Sequence, residues 1–493
     1  MSGNNGVERL TMRRRYTDMK RLLPFLLLAG CNNHALKTVE LDFVSTPSNT
    51  FDMDLDKRVD VLVVVDNSGS MAEEQAKLAA NFGPFIDGLI AADVDYRIAV
   101  TTTDLGNPWC SNTAKDGGKF ATVSCLDRSG LFVSINGTED YFDLSCSSVC
   151  ETHTDFLGLT SELWIDSSVP DPKEAFECLA PQGVRGCGFE STLESVHRFV
   201  NGEGEESEFF RPGALFAVVI LSDEEDCSWQ KSEIFAQDGN KVFWSDPSAD
   251  FPTSAVCWNA GVACTQDYDF CYSQDFDVDS WPTTDPSETA LFSLSRYEAL
   301  LGSFDATFVS IIAGVQSDGS SIFSKNDPEF VGLFGVDPGC VNDTDPANIQ
   351  TAVPPVRLRD MSDARFSICE DDFQPVVQGL VDAVLENIEP ACFQECVLDQ
   401  DPETEAVEPL CSIQEKVPGE SRTSILPCDE GPTLPGNQDV CWYALSGDQM
   451  AEECVVEGQN IELRLLRREG VPVDPETSIS VSCEVSPYPS LDC

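Results

Sequence analysis

The sequence predicts an α/β protein built on a doubly wound, mostly parallel sheet, and three observations carry that expectation. The run Val61–Val65 is branched and apolar without alternation, the pattern of a strand buried on both faces. Ala214–Leu221 repeats the pattern and, like the first run, stops abruptly in polar residues that include carboxylates. Stretches of helical periodicity separate these and later apolar runs, which is the alternation of a sheet with crossover helices.

Taken in order, the chain begins with a segment that reads as an export signal. Met19-Lys20-Arg21 precedes the apolar Leu22–Leu28 and then Ala29-Gly30-Cys31, a basic start, a short apolar run and small residues. The run is too short to span a membrane as a stable helix. Leu28-Ala29-Gly30-Cys31 resembles the bacterial lipoprotein box. That resemblance implies lipidation of Cys31, a signal over residues 1–31 with Met19 as the expected start, and a membrane reached through a lipid anchor. Asn32 after the cysteine implies, by the same resemblance, the outer membrane of a diderm envelope, at its periplasmic face or at the cell surface. Several acyl chains would anchor firmly. Residues 32–57, polar and holding Pro47, read as a tether.

The expected α/β domain covers 58–390. Its first strand opens onto Asp66-Asn67-Ser68-Gly69-Ser70, where small polar residues force a loop. Asp66, Ser68 and Ser70 place a carboxylate and two hydroxyls at alternate positions past the carboxyl end of the strand, where open α/β sheets hold ligands. Hard oxygen donors so close together suit Mg²⁺ or Ca²⁺ rather than a soft metal. A helix is expected over Met71–Ala92, with Leu78, Phe82, Phe85, Ile86 and Leu89 on one face and an interruption at Gly83-Pro84. Tyr96–Thr103 is the next strand. Residues near 105–171 lack a long period and carry Cys110, Cys125, Cys146 and Cys150, so they read as a disulfide-held insertion at the ligand-bearing face. Helices over Lys173–Leu179 and Glu190–Val200 lead to the strand Ala214–Leu221, which ends in Ser222-Asp223-Glu224-Glu225-Asp226.

A second insertion, 227–286, has four cysteines and an acidic-aromatic run from Asp267 to Asp279 that lacks the order of an EF-hand loop. Trp229, Trp244, Trp258 and Trp281 in or near it are either contact residues or a miniature core. A helix over Glu288–Leu301 and a strand over Ala306–Val315 resume the alternation. A third insertion near 316–366 precedes a helix marked by Phe373, Val376, Val377, Leu380, Val381, Val384, Leu385 and Ile388. Residues 391–493 hold eight cysteines among short alternating runs, and read as a small disulfide-stapled, β-rich module.

Asp-x-Ser-x-Ser after a buried strand, with a later apolar strand ending in Asp, resembles the von Willebrand factor type A domain. The resemblance implies a metal-ion-dependent adhesion site. Asp66, Ser68 and Ser70 match its first motif and Asp223 its last. The family's middle ligand, a threonine entering a helix, has no direct counterpart here. Helix periodicity aligned from Leu193 puts Glu190 of Gly186-Cys187-Gly188-Phe189-Glu190 in that place, and Thr103 is the alternative. The implied cofactor is a divalent cation with one open position, filled by a carboxylate of a protein partner.

Composition narrows the function. With 30 basic and 85 acidic residues the formal charge is −55, so a phosphate backbone is repelled and nucleic acid is not an expected partner. The chain has 21 cysteines; setting Cys31 aside leaves an even number, the arithmetic of a disulfide framework in an exported protein. The three histidines, His34, His153 and His197, form no ligand-spaced cluster. No H-E-x-x-H, G-x-S-x-G or Gly-rich phosphate loop occurs, so the expectation is a binding protein and not an enzyme. The alternatives are a structural envelope protein whose metal stabilises the fold and, behind it, a metal-dependent hydrolase.

Overall fold

The computed structural model describes residues 48–489 except 54–56, 93, 151–162, 203–208, 212, 305, 345–348, 389–390, 402–403, 405, 417–420, 430–432, 437, 457, 469–477 and 488. The segment expected to be an export signal, Cys31 with its expected lipidation, and His34 and His153 lie outside the described residues.

Strand β1 (Ser48–Met53) is followed by β2 (Lys57–Val65), α1 (Ala72–Asn81), α2 (Gly83–Ala91) and β3 (Val94–Thr102). Next come α3 (Pro172–Leu179), α4 (Thr192–Val200), β4 (Leu215–Leu221), α5 (Ala255–Gly261) and the hairpin β5 (Val262–Cys264) and β6 (Cys271–Ser273). Then follow α6 (Leu294–Leu301), β7 (Ala306–Ala313), α7 (Pro328–Phe334), the hairpin β8 (Cys340–Asn342) and β9 (Gln350–Ala352), α8 (Val356–Asp360), β10 (Ala364–Ser367) and α9 (Gln374–Glu386). The last part holds β11 (Cys411–Lys416), β12 (Thr423–Ile425), β13 (Val440–Leu445), α10 (Glu452–Val456), β14 (Glu462–Arg467) and β15 (Ser478–Glu484).

The central sheet has the order β10-β7-β4-β2-β3, and every neighbouring pair in it is parallel. Successive side chains of a strand point to opposite faces, so β2 feeds two cores. Val59, Val61, Val63 and Val65 pack with Leu78, Phe85 and the α9 residues Val377 and Leu380. Leu62 and Val64 pack with Leu193, Val196 and Phe199 of α4 and Tyr297 of α6. Helices therefore cover both faces, which is the doubly wound architecture the sequence predicts. The interruption at Gly83-Pro84 divides α1 from α2, with the proline in the first turn, where its missing N–H costs no helical bond.

Other elements depart from the sequence reading. The helix expected over Glu288–Leu301 starts only at Leu294, because the Ala290 carbonyl accepts from the Gln230 and Lys231 amides and Leu291 bridges Trp229. Glu190 stands in the loop before α4, not on the helix. The stretch 316–366 is not wholly insertion: β10 lies at its end and pairs with β7 from Ala364–Ser310 to Ser367–Ala313. Ser48–Met53, within the polar lead-in, is a strand paired antiparallel with β15 along its full length. It is the edge of a four-stranded sheet, β1-β15-β11-β12, while β13 and β14 form a separate pair. Trp244 and Trp258 are buried, Trp229 is partly buried and Trp281 is exposed, so the second insertion uses its tryptophans mainly as core.

Nine disulfides join described residues. Cys110–Cys187, Cys125–Cys146 and Cys150–Cys178 hold the first insertion. Cys227–Cys257, Cys264–Cys271 and Cys340–Cys369 hold the later ones, and Cys392–Cys454, Cys411–Cys483 and Cys428–Cys441 the C-terminal part. No helix among the described residues is long and apolar enough to cross a membrane.

One charge sits inside β2. Asp60 is buried, and Arg211 answers it with an ion pair at 2.7 Å and a backbone N–H bond at 2.7 Å, while also pairing with Asp95 at 2.6 Å. Removing one partner of such a pair strands the other charge. Arg211→Met is expected to lower stability by about 3–5 kcal/mol in urea unfolding with disulfides intact. A loss under about 1 kcal/mol would show that the pair acts like a surface one.

Candidate metal centre

The parallel register assembles the site. Val65 lies beside Thr102 on one neighbour and Leu221 on the other, so Asp66, Thr103 and Ser222 leave three adjacent strands at one level. The Asp66 amide donates to the Leu221 carbonyl at 2.9 Å, one last rung of the ladder. The chain then turns. Asp66 Oδ1 accepts from the Ser68 amide at 2.8 Å, and Oδ2 accepts from the Ser222 hydroxyl at 2.6 Å. The Ser68 and Ser70 hydroxyls lie 3.2 Å apart. Asp66 and Ser68 are buried, whereas Gly69 and Ser70 are exposed, so the motif climbs from core to surface within a few residues.

Glu190 enters from the loop before α4 and is fully buried, and the Thr103 hydroxyl donates to its Oε2. The two candidates for the middle ligand are thus neighbours in one place. Glu190 Oε1 is buried with no hydrogen-bond partner, and so is Asp223 Oδ1. The Ser70 hydroxyl lies near enough to the Asp223 carboxylate to draw its pKa down against burial. Asp66, Ser68, Ser70, Asp223, Glu190 and Thr103 are therefore linked by direct contacts or by one shared strand level.

Sequence reading missed the residues that hold the loops in register. Gln75 of α1 donates to the carbonyls of Asp66 at 2.7 Å and Gly183 at 2.9 Å, and accepts from the amides of Gln182 at 2.8 Å and Gly183 at 3.0 Å. One buried amide thereby ties the motif loop to the segment leading toward Glu190. The Gly186 amide donates to the Asn67 carbonyl at 2.6 Å, and a Cβ there would stand 2.6 Å from that carbonyl's carbon, so only glycine permits the approach. Cys187, the next residue, is pinned by its disulfide to Cys110. A lone glutamine or glycine gives no sequence signal for such roles.

The acidic pairs also separate. Glu73 sits near Lys77 at 3.6 Å, while Glu74 is buried with Oε2 unpartnered. Glu224 belongs to the site's electrostatics, but Glu225 turns away and accepts from the Val356 and Arg357 amides at the start of α8. His197 lies against Arg296 and Glu194, a satisfied histidine.

Charge is the distinguishing property. Burial, and then the charges of Asp66 and Glu224, push the Glu190 carboxyl well above its ordinary range. Burial followed by Asp66 and Glu74 does the same to Asp223, and burial followed by Asp223 and Asp66 to Glu224. Burial also raises Asp66, against the hydrogen bonds from Ser222 and Ser68. No lysine or arginine is among the leading influences on these four groups. Among the described residues no three His, Cys, Asp or Glu side chains come close enough to hold an ion by themselves. The oxygen set here relies on hydroxyls as well, and its hard donors and two unpartnered buried carboxylate oxygens fit a Mg²⁺- or Ca²⁺-sized ion. Asp66, Ser68, Ser70, Asp223 and Glu190 or Thr103 would hold it. On the solvent side Ser70, Glu74 and Asp223 share a cleft of about 260 Å³ with Tyr141 and Leu144 of the first insertion and Ile349 of the third.

No protein-family profile and no curated protein matches the sequence. Among solved structures, the pilus adhesin SpaC from Lactobacillus rhamnosus GG in its open conformation is 10% identical with a TM-score of 0.29, covering 88% of this chain and 40% of its own. The vWF domain of the type V pili tip protein Mfa5 from Porphyromonas gingivalis is 10% identical with a TM-score of 0.28, covering 68% of this chain and 97% of its own. The pilus adhesin RrgA from Streptococcus pneumoniae is 12% identical with a TM-score of 0.25, covering 89% of this chain and 58% of its own. This chain thus spans under half the length of SpaC, and similarity at this level assigns neither family nor function.

The buried carboxyls fix a pH dependence. Burial lifts Glu74 from 4.5 to about 7. A carboxyl raised in the fold favours folding while protonated, so its contribution is whole below about 4.5 and is lost as pH rises toward 7. In EDTA the melting temperature is expected to fall across that window, with Glu74 supplying on the order of 3 kcal/mol of the loss. Glu74→Gln should flatten the slope in thermal unfolding at stepped pH. Equal slopes in both proteins would contradict this assignment.

Proposed function

We propose that this is an envelope-anchored binding protein whose motif loop holds a divalent cation and uses it to engage a carboxylate of a protein partner. One observation carries the reading. The donors run from two buried, unpartnered carboxylate oxygens, Glu190 Oε1 and Asp223 Oδ1, to the exposed hydroxyl of Ser70 beside a cleft. A cation held there is neutralised from below and open from above. Its charge locally inverts the repulsion that an acidic partner group would meet from so acidic a chain.

The two insertions that frame the cleft supply the walls against which a partner is read, as loops on a rigid scaffold do. A cleft beside the exposed Ser70 hydroxyl supports a reading of attachment rather than catalysis. The lipid anchor at Cys31 and an outer-membrane location in a diderm bacterium belong to this proposal through the amino-terminal sequence alone. The C-terminal module, 391–493, would be a separate disulfide-stapled element of the same protein.

Thermal unfolding of the wild type beside Asp66→Ala tests the reading. Mg²⁺ or Ca²⁺ at a hundred times its dissociation constant is expected to stabilise the wild type by about 2.7 kcal/mol and leave the variant unmoved. With the active cation present, immobilised wild type should retain an acidic peptide library that the variant and EDTA-treated protein do not. A shift without such retention would point to a metal that only stabilises the fold. No shift in the wild type would remove the cation from the account.

A further inference from the structure

The acidic-aromatic run of the second insertion takes no part in the cation site, and its first half closes the hairpin of β5 and β6. Phe270 and Tyr272, on either side of Cys271, turn to one side, with ring centres 6.1 Å apart and planes 22° from parallel. They are 54% and 42% exposed, and neither lines the cleft beside Ser70. Single exposed apolar residues are ordinary, but adjoining exposed rings rimmed by polar groups mark a contact surface.

The pair is held in place from several directions. The Cys264–Cys271 disulfide joins the two strands where they stand directly opposite one another. The Cys271 carbonyl accepts from Arg359 of α8 at 2.8 Å, and the Ser273 amide donates to Asp360 at 3.0 Å. In the turn, the Thr265 amide donates to the Phe270 carbonyl at 2.9 Å and the Thr265 hydroxyl accepts from the Phe270 amide at 3.3 Å. Tyr268 stands at φ +58°, a left-handed conformation that is costly for a bulky side chain and persists where the surroundings over-determine it, often at ligand sites. The buried Arg359 lies 5.6 Å from the Phe270 ring centre, and Lys325 lies 5.0 Å from that of Tyr268. A buried guanidinium meets Phe270 from the protein side and fixes the ring with its outer face toward solvent.

The surroundings choose the occupant. Gln266, Asp267 and Asp269 are exposed on the same turn and offer an amide and two carboxylates, planar groups that hydrogen-bond hydroxyls. An anionic partner is repelled by a chain of formal charge −55. A cationic one gains little where Arg359 and Lys325 already lie against these rings. A neutral partner with a C–H face for the rings and hydroxyls for the rim meets neither objection. A pyranose ring has both, because its C–H groups carry a slight positive charge that matches the negative face of an aromatic ring. We propose that the β5–β6 hairpin binds a neutral chain of pyranose sugars, laid on the outer faces of Phe270 and Tyr272 with its hydroxyls toward Gln266, Asp267 and Asp269. This contact is independent of the divalent cation.

Isothermal titration calorimetry of the disulfide-intact protein in EDTA tests it. The probes are the tetrasaccharides of cellulose, chitin, β-mannan and β-galactan, with tetragalacturonate and a deca-proline peptide for comparison. Saturable binding of at least one neutral tetrasaccharide is expected, with weaker binding of the other two. Phe270→Ala and Tyr272→Ala should each weaken it about five-fold or more while leaving the melting temperature of the free protein within a few degrees. Tyr272→Phe keeps the ring and should bind within about two-fold of the wild type. The proposal is overturned if no neutral tetrasaccharide binds, if either comparison probe binds as tightly as the best of them, or if both alanine variants keep full affinity. A loss in Tyr272→Phe equal to that in Tyr272→Ala would also overturn it, since recognition would then lie in the hydroxyl and not the ring. Chelator is present throughout, so a failure here leaves the cation reading intact.

Discussion

Four carboxyl groups gather at the carboxyl edge of the sheet, Asp66 and Glu190 buried, Asp223 and Glu224 half-buried, and the rest of the structure is arranged around that fact. Burial raises the pKa values of all four, the charge of Asp66 adds to the rise at Glu190, Asp223 and Glu224, and Asp104 adds to it at Asp66. Asp66 and Glu190 lie out of reach of water, and hydrogen bonds from Ser68, Thr103 and Ser222 offset only part of the cost of burying them. Protons relieve the cluster at low pH. In the proposed reading a cation takes the place of those protons at neutral pH, with the hydroxyls beside the carboxylates as its hard donors.

Such a cluster survives only if its loops are held from outside. The parallel register brings three strand ends to one level, but the loops beyond them are long and weakly patterned. Gln75 locks the motif loop to Gly183, Gly186 lets the backbone of that segment touch Asn67, and the Cys110–Cys187 disulfide fixes the same stretch to the first insertion. Glu225 accepts from the first amides of α8 instead of joining the cluster. The first and third insertions then serve as walls for the acidic cleft beside Ser70.

Local information was legible in the sequence. The buried strands were visible in their unbroken apolar runs, the break at Gly83-Pro84 in proline chemistry, and Asp66, Ser68 and Ser70 in their spacing on one loop. What depends on long-range register was not. Glu190 and Thr103 were weighed as alternatives because nothing in a linear chain shows that one donates a hydrogen bond to the other. β10 is only four residues long in a polar stretch, and β1 is a strand only because β15 pairs with it from the other end of the chain. Disulfide partners up to 77 residues apart leave no trace in spacing. The exchange of Glu224 and Glu225 between site and helix cap turns on which way two adjacent side chains face, and composition carries no record of that.

The central claim is that the motif loop holds a divalent cation with a position open to solvent. The most direct test is anomalous diffraction from crystals of the protein soaked in Mn²⁺, a hard divalent ion with its own scattering signature. The account predicts one strong peak at about 2.1 Å from the hydroxyls of Ser68 and Ser70, within reach of Asp223 and of Glu190 or Thr103, with its outward position facing the cleft. At saturating Mn²⁺, an empty motif loop, or peaks confined to other carboxylates of this acidic surface, would contradict it.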